Sequence, residues 1–483
     1  MPDTLASPVV LVGAFERHNF GDLLLGRIMA RCLAEHGLQP LYASILPADL
    51  RALGGEWVNS FADLAPFLPP DVPIVHVGGE TIPCSMGMAL RMDAPPVLAD
   101  SLANRLAKSC RPSGLDDREF AYLTPPVETI CGKTYRWHNR YFFGLGGASI
   151  AGQPPQAMAG LRDVLQDARW LSVRDTTTLR ALHACGVAHA RPSWDAGVLA
   201  PCLAAGGSAT LAAPVAAEPG GSLLFHANKA FLAPRLDLLA AQIAAAAGRF
   251  SRVRVSLAAA AANHDSAAAS EQLAARLAAT GIPAEFCPDV HVDTIATLIR
   301  DAACVVSTSL HYRIVALTHG VPRVSLENGK VAGWASDWDP GYPYACPAEG
   351  MAANIARAVA VPREEAVQAA GKARGEALAS IVDLVAEIHR HTPELSLSLP
   401  GAEGSGAGQV PLGPGWSIRP DQWIAEMGRW VRQAREDASR ARQDLAEAKG
   451  KLQAARNELA GIRKSPWWKL GSPLRKFRHR SRK

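Results

Sequence analysis

The sequence predicts an α/β protein with two Rossmann-like lobes. Apolar, strand-like runs that end in glycine or polar turns recur along the first 200 residues, as in "VVLVG", "VPIVHVGGE", "RYFFGLGG" and "WLSVRD". The same alternation with helical stretches restarts at "GSLLFHANK" and continues through "RVRVSLA". This alternation is typical of parallel sheets covered by helices. Two such lobes predict a ligand cleft between them, because open α/β sheets bind ligands beyond the carboxyl ends of their strands.

Composition divides the chain into six segments. We assign residues 1–202 to an N-terminal lobe, 203–221 to a connector rich in Ala, Gly and Pro, and 222–391 to a C-terminal lobe. Residues 392–419 read as a flexible linker, 420–464 as a coiled-coil helix and 465–483 as a basic aromatic tail. A solvated single helix is the alternative for 420–464. The apolar heptad positions are Ile424, Met427, Val431, Ala434, Ala438, Ala441, Leu445, Ala448, Leu452, Ala455, Leu459 and Ile462.

Bulk properties exclude several classes of protein. The 483 residues are 48% hydrophobic, which is enough for large cores. The net charge is +5, but the last 21 residues hold nine Lys or Arg and no acid, so the remainder has 41 basic and 45 acidic residues. The lobes therefore give no indication of nucleic-acid binding. The nine cysteines never show C-x-x-C spacing, which indicates neither a disulfide framework nor a zinc site. With no apolar run of about 18–20 residues and no signal-peptide pattern, we expect a cytoplasmic protein.

The first candidate binding loop is "GAFERHNFGDLLLG", which begins at Gly13. A short apolar strand precedes it, and apolar residues at helical spacing follow. Gly21 tolerates unusual backbone angles, and the following helix directs free N–H groups back at the loop. The loop is suited to binding an anion or a sugar hydroxyl. An ordinary strand-to-helix connection without a binding role is the alternative.

The densest polar signal is "CVVSTSLHYRIVALTHGVPRVSLENGK", residues 304–330. A buried strand over 304–306 leads to the hydroxyls of Ser307 and Ser309, and a helix is predicted over 310–319. His311 then falls in the first helical turn, where an anion is favoured and an imidazole can give a proton to a substrate. A structural histidine is the alternative.

Glycine turns and an Arg–Asp pair mark further strand ends. In "WLSVRD", Arg174 can bind a carboxylate or phosphate, with Asp175 as its orienting partner or as a helix cap, and a structural ion pair is the alternative. "HVGGE" adds Gly78 and Gly79, and "WDAGVLAP" adds a further glycine turn.

Together, "HNFGD", "HVGGE", "FFGLGG", "SVRD…LHACGV", "WDAGVLAP" and "STSLHYRIVALTHGVPRVSLENGK" resemble the polysaccharide pyruvyl transferase family, from residue 8 to about 340. The resemblance implies a two-lobed fold similar to B-type glycosyltransferases. It also implies transfer of pyruvate, as a ketal, from phosphoenolpyruvate to a saccharide or lipid-linked saccharide of a cell-surface polysaccharide. Phosphoenolpyruvate is then a co-substrate, and the scheme needs no cofactor or metal.

The resemblance also implies roles for individual residues. His311 becomes the general acid, Arg174 a ligand of phosphoenolpyruvate, and Lys330 approaches the cleft from the second lobe. The family carries Arg two residues before the histidine, where this chain has Ser309; Arg313, one turn further on, is expected to supply that charge. The candidate substrate-binding residues are Asn19, Gly21, Asp22, Gly78, Gly79, Arg174, Asp175, Ser307, Ser309, Arg313 and Lys330.

The ending "KSPWWKLGSPLRKFRHRSRK" looks like the C-terminal sequences of bacterial surface-polysaccharide enzymes. Aromatic residues between cations suit an anionic membrane surface, with a protein partner as the alternative, so a peripheral position at the inner face of the plasma membrane is expected. Self-association through the heptads is a further expectation. Two other functions stay open: a B-type glycosyltransferase that uses a nucleotide sugar, and a non-catalytic scaffold of a polysaccharide assembly complex.

Overall fold

The computed structural model describes residues 7–93, 120–130, 133–203, 221–261 and 264–392. The predicted coiled-coil helix and basic tail, and most of the predicted connector and linker, lie outside these ranges. Within them the chain forms two α/β lobes, each on its own sheet, so the predicted fold class is confirmed for this part of the chain.

The sheet of the N-terminal lobe has eight strands. They are β1 (Ser7–Val12), β2 (Leu38–Ser44), β3 (Ala48–Asp49), β4 (Trp57–Ser60), β5 (Ile74–Gly79), β8 (Arg140–Leu145), β9 (Trp170–Val173) and β10 (Arg191–Pro192), and a separate antiparallel pair is formed by β6 (Val127–Ile130) and β7 (Lys133–Arg136). The order is β10-β9-β8-β5-β1-β2-β4-β3, and all pairs are parallel except β3 with β4. The helices of this lobe are α1 (Phe20–Glu35), α2 (Phe61–Leu64), α3 (Met86–Asp93), α4 (Pro155–Leu165) and α5 (Thr176–Ala184).

The C-terminal lobe has a five-stranded parallel sheet. Its strands are β11 (Ser222–His226), β12 (Arg252–Ser256), β13 (Ala284–Cys287), β14 (Ala302–Ser307) and β15 (Arg323–Ser325), in the order β13-β12-β11-β14-β15. The helices are α6 (Lys229–Leu232), α7 (Leu236–Ala247), α8 (Ala267–Ala279), α9 (Val292–Arg300), α10 (Leu310–Thr318), α11 (Gly329–Trp338), α12 (Met351–Val359) and α13 (Arg363–His391).

Burial explains why the strands were readable from the sequence. Parallel strands covered on both faces are continuously apolar, and β1 and β14 are buried along nearly their whole length. Helix α10 is buried at all nine residues, because α9, α13 and the 3₁₀ segment Ala196–Leu203 pack around it. Its polar side chains therefore lie in the protein interior rather than on a solvated face.

Both sheets contain a point where the order of the strands reverses. The first strand of each lobe is central, and the reversal lies between β1 and β5 in one lobe and between β11 and β14 in the other. Ligands of doubly wound sheets bind outside the carboxyl ends of the strands at such points. The loops after these four strands are therefore the place to look for a site.

Helix α13 connects the end of the C-terminal lobe to the N-terminal lobe. The indole N–H of Trp194 donates to the Glu376 carboxylate (2.7 Å), and the Asn139 amide donates to the carbonyl of His391 (3.1 Å). Both donors belong to the N-terminal lobe, so the two lobes share this helix.

By length and composition alone, one stretch of the described residues is apolar enough to cross a membrane. It is Lys229–Ala247, which includes α6 and α7. Leu239 and Ile243 of this stretch are fully buried in the core of the C-terminal lobe, and buried core helices meet the same criterion. It is therefore weak evidence for a membrane span.

Candidate active site

The loop between β1 and α1 joins the two lobes. The backbone N–H of Ala260 donates to Nδ1 of His18 (3.0 Å), and Nε2–H of His18 donates to the Val290 carbonyl (2.7 Å). The N–H of Phe20 donates to the Ala258 carbonyl (2.8 Å). Burial lowers the pKa of His18, which keeps the ring in the neutral tautomer that these two bonds require. His18 is thus part of the lobe interface.

Helix α1 begins directly after this loop. Asn19 is its N-cap, and its side-chain oxygen accepts from the N–H groups of Gly21 (3.0 Å) and Asp22 (3.4 Å). Asn19 was predicted to line the cleft, but its oxygen is used by the helix start. Asp22 is half-buried and lies next to Gly79, whose φ of +92° only glycine adopts readily.

His311 of α10 lies against the start of α1. A Cβ atom at position 21 would overlap the imidazole, so Gly21 is needed for this close approach between the lobes. His311 is only 8% exposed, and within the described part of the chain its buried Nε2 has no hydrogen-bond partner. Nε2 lies 3.7 Å from Oδ2 of Asp195, and Nδ1 lies on the Gly21 side.

Asp195, in the loop after β10, is completely buried. Its Oδ1 accepts from the N–H of Gly197 (2.9 Å), and its Oδ2 accepts from Nη1 of Arg174 (3.1 Å). Burial alone would raise the pKa of Asp195. The opposing effects of His311, Arg174 and the Gly197 N–H prevail and lower this pKa to about 2. Asp195 is therefore an ionised carboxylate in the interior.

Arg174 bridges Asp195 and Glu80. Its guanidinium is 2% exposed, and its Nη2 donates to Oε2 of Glu80 at 3.0 Å. Burial opposes the charge of Arg174, but the two carboxylates outweigh it and raise the pKa. The other Glu80 oxygen accepts from the N–H of Ala148 (2.8 Å), which fixes the loop after β8. Arg174, which was predicted to bind phosphoenolpyruvate, is thus held by two carboxylates of the protein.

Asp175 acts as a helix cap, one of the two roles predicted for it. Its carboxylate accepts from the backbone N–H (2.7 Å) and the hydroxyl (2.9 Å) of Thr178 at the start of α5. The same helix start accepts a second carboxylate from the other lobe, because the N–H of Thr176 donates to Asp337 at 2.6 Å. Asp175 thus orders α5, and each of its carboxylate oxygens accepts a hydrogen bond there.

Lys330 is at the start of α11, where the C-terminal lobe faces Arg174. Its side chain is exposed to water, yet it is densely surrounded by protein. This desolvation lowers the pKa of Lys330, Arg174 acts in the same direction, and Glu80 and Asp22 oppose the shift. The charges that act on Lys330 therefore belong to residues of the first lobe.

The prediction that Arg313 supplies a cation to the site is wrong. Its guanidinium is buried in the C-terminal lobe, where it donates to the carbonyls of Pro343 (2.9 Å) and Tyr342 (3.0 Å) and lies 2.7 Å from Asp339. It also donates to the Ser325 hydroxyl at 3.1 Å. Spacing along the helix places Arg313 one turn from Ser309 but does not show that its side chain points into the core.

The two predicted serines and Gly78 have structural contacts. The Ser307 hydroxyl is buried, lies 2.8 Å from Nδ1 of His226 and accepts from the N–H of Ser309 (2.8 Å). Ser309 is the half-buried N-cap residue of α10, and its side chain makes no capping bond. Gly78 lies inside β5, and a Cβ there would be 3.1 Å from the Gly144 carbonyl, so it serves strand packing rather than a binding turn.

Two residues of this cluster were not predicted as site residues: Asp195 and Glu80. Glu80 directly follows the two glycines of "HVGGE", and Asp195 lies two positions before the glycine of "WDAG". Each pairs with Arg174, which is 21 and 94 positions away along the chain. The turns were visible signals, but their pairing with Arg174 depends on the strand order.

No family model matches the chain, and no curated protein matches it. Solved structures with a similar arrangement include Anabaena Alr3699/HepE in complex with UDP-glucose (11% identity, 80% of this chain and 100% of that chain, TM-score 0.43). Another is UDP-GlcNAc 2-epimerase of Neisseria meningitidis bound to UDP-GlcNAc (11% identity, 80% of this chain and 99% of that chain, TM-score 0.45). A third is the structure of accessory secretory protein 1, 2 and 3 of Streptococcus pneumoniae, with 14% identity and a TM-score of 0.29. The match covers 62% of this chain but only about half (49%) of that one. Likeness at this level says nothing about activity.

Proposed function

We propose that this chain is a transferase that moves pyruvate from phosphoenolpyruvate onto a saccharide, with His311 as the proton carrier. The observation that carries the proposal is the imidazole of His311. It lies buried at the lobe interface, where Nε2 has no hydrogen-bond partner among the described residues and the ionised carboxylate of Asp195 lies 3.7 Å away. The donor is taken from the family resemblance of the sequence.

The proposed reaction balances with these groups. Protonated His311 gives its proton to the methylene carbon of phosphoenolpyruvate, and the alkene electron pair forms the new C–H bond. A hydroxyl of the saccharide attacks the resulting cationic carbon and returns its proton to His311. A second hydroxyl then closes the ketal while the C–O bond to phosphate breaks, and the phosphate leaves with that electron pair and takes up the last proton. General acid catalysis of this kind contributes roughly 10²–10⁴-fold.

Two cationic residues, Lys330 and Arg174, fit an anionic donor. Phosphoenolpyruvate carries a carboxylate and a phosphate, which require ammonium, guanidinium or helix N-terminal donors. Lys330 is an exposed lysine of the second lobe whose pKa is influenced by Arg174 and Glu80 of the first lobe. We therefore assign the first contact with the donor to Lys330, and a secondary one to Arg174, because two carboxylates of the protein already hold its guanidinium.

The test compares His311→Gln with His319→Gln. His319 is at the end of the same helix, so it is a matched control for changing a histidine of α10. Calorimetric titration with phosphoenolpyruvate should give the same affinity in all three proteins. Phosphate release from phosphoenolpyruvate with a panel of saccharides should disappear in His311→Gln alone. Wild-type turnover in His311→Gln would reject the role of His311.

A nucleotide-sugar glycosyltransferase is the second candidate. The observation that favours it is the small number of uncommitted cations: Arg313 is in the core and Arg174 is between two carboxylates. In that reaction His311, beside Asp195, would take a proton from the acceptor hydroxyl. Titration with UDP- and GDP-sugars separates the candidates, since tight binding of one of these without binding of phosphoenolpyruvate selects this alternative. Binding of neither donor class would favour the scaffold function.

The proposal for the C-terminal tail comes from the sequence alone. We expect the full chain to sediment with vesicles that contain anionic lipid, and added salt to weaken this association. A chain that ends at Thr392, the last described residue, should lose it. If the shortened chain still sediments with the vesicles, the membrane contact lies on the lobes.

A further inference from the structure

One carboxylate oxygen connects residues of both lobes at the site. Oδ2 of Asp195 is 3.1 Å from Nη1 of Arg174 in its own lobe and 3.7 Å from Nε2 of His311 in the other lobe. The second oxygen of Asp195 is fixed by the N–H of Gly197 at 2.9 Å. The carboxylate therefore has a defined orientation, and one of its oxygens faces both groups.

The burial of Asp195 makes this arrangement electrostatically demanding. The residue has no exposed surface, so its charge is stabilised by neighbours rather than by water. Arg174 is itself 2% exposed and is shared with Glu80. When His311 is protonated, its charge and that of Arg174 face each other across the carboxylate, which screens their repulsion.

We propose that Asp195 is a positioning residue that orients His311 and sets its charge, and that it does so only while the two lobes are together. The inference rests on the proposed role of His311 as the proton carrier. Asp195 touches no substrate in this scheme and acts through the imidazole and through Arg174.

The geometry determines which ring nitrogen does the chemistry. A carboxylate beside Nε2 favours a proton on that nitrogen, as the orienting acid of a catalytic triad does for its histidine. Nδ1, on the Gly21 side of the ring, is then the nitrogen that exchanges a proton with the substrate. Because Asp195 and His311 belong to different lobes, separation of the lobes removes this control.

Other charged groups on the elements around α10 are further from the ring or committed elsewhere. Among the carboxylates of the described residues, Asp195 is the one within 4 Å of the imidazole nitrogens. The charged groups on these elements include Asp22 on α1 and Lys330 on α11. They also include Asp293 and Arg300 on α9, which pair with Arg27 and Asp301, Arg374 on α13, which donates to the Thr318 carbonyl, and Arg313 on α10 itself, which pairs with Asp339.

The experiment changes the charge on Asp195 and follows the titration of His311. In Asp195→Asn, the amide oxygen can still accept from Gly197, but the negative charge is lost. The histidines of the full chain are isotopically labelled, and the signal of His311 is assigned by its disappearance in His311→Gln. Its NMR titration midpoint is then measured without ligand, alongside the pH dependence of phosphate release from phosphoenolpyruvate.

A matched control comes from Asp339, a buried aspartate that, like Asp195, lies between two basic groups. Asp339 pairs with Arg313 and Arg323 in the core of the C-terminal lobe. Asp339→Asn therefore imposes a similar loss of a buried charge away from His311. It should lower the melting temperature and leave the His311 midpoint in place.

In Asp195→Asn we expect the His311 midpoint to fall by about 1 pH unit or more, because an opposite charge about 4 Å away is lost while Arg174 stays. The acidic limb of the phosphate-release profile should move with it, and kcat should fall about 10²-fold or more with KM little changed. Should Asp195→Asn fail to fold, Arg174→Gln gives the complementary test, since it leaves the carboxylate uncompensated and should move the midpoint upward.

Unchanged midpoints in both variants would overturn the inference, as would an equal shift in Asp339→Asn. The titration needs no substrate, so it tests the link between Asp195 and His311 even if phosphoenolpyruvate is not the donor. Absence of phosphate release by the wild-type protein would instead reject the proposed function.

Discussion

Replacement of Gly21 by alanine tests the site through a single methyl group. The Cβ atom would lie well inside 3.0 Å of Nδ1, Cε1 and Cγ of His311, whereas ordinary contacts are 3.4–4 Å. The imidazole must therefore withdraw by about 1 Å or more. A displacement of this size at a reacting group can cost about 10²-fold in rate.

The stability of the same variant should change much less. Overpacking costs about 1–3 kcal/mol, but position 21 is in the first turn of α1, where alanine gains about 0.5–1 kcal/mol over glycine. We expect a net loss of about 0–2.5 kcal/mol, which should leave the protein folded. The variant therefore separates the position of the imidazole from the fold.

The assay is phosphate release from phosphoenolpyruvate with the saccharide panel, with thermal unfolding measured on the same samples. Gly371→Ala is the matched control, because it also adds a methyl group to a helix and nothing lies within 4 Å of it. That variant should keep full activity. Gly21→Ala with full activity would refute the claim that His311 must stay against α1.

Three further predictions follow from individual residues. Lys330→Met should weaken phosphoenolpyruvate binding at least tenfold in calorimetry, whereas replacement of the exposed α13 lysine, Lys372→Met, should not. Because the pKa of Lys330 is lowered, the affinity of the wild-type protein should begin to fall at a pH below 10.5, the usual pKa of lysine. An affinity that stays constant up to pH 10.5 would contradict this. In the folded protein the pKa of Asp195 is about 2, below its usual value, so ionised Asp195 stabilises the fold fully above about pH 4 and loses this effect as the pH falls to 2. The free energy of unfolding of Asp195→Asn, measured in urea, should lack this part of the acid dependence. Parallel plots of unfolding free energy against pH for the two proteins would contradict the prediction. Arg313→Met should lower the free energy of unfolding by about 3–5 kcal/mol, because Asp339 loses one of its two cationic partners. Its affinity for phosphoenolpyruvate should be unchanged, and weaker binding would show that Arg313 contributes to the site.

The strands were the most predictable part of the fold. Strands β1, β5, β8 and β9 are buried on both faces, so they read as apolar runs that end in glycine or polar turns. The capping role of Asp175 was also predictable, because it depends only on the residues that follow it. These features are local, and local sequence determines them.

The candidate site was less predictable because its contacts cross between distant segments. The link between Asp195 and His311 joins two lobes, and the spacing of Arg313 from Ser309 gave no indication that Asp339 holds it in the core. Gly78 resembled a turn residue, yet it belongs to a strand whose neighbour approaches closely. In each case the deciding partner is set by sheet order and not by the neighbouring residues.

Helix α13 also has a consequence for how the protein is made. Its hydrogen bonds join Glu376 to Trp194, 182 positions earlier, and the carbonyl of His391 to Asn139, 252 positions earlier. During synthesis the N-terminal lobe emerges long before this helix. Until residue 376 is translated, Trp194 lacks its Glu376 partner, and until residue 391 is translated, the Asn139 amide has only its bond to the Asp71 carbonyl (2.8 Å). Domains usually fold in order as they emerge, and contacts of such long range slow folding. The first lobe is thus expected to reach its complete set of contacts only after the second has been made.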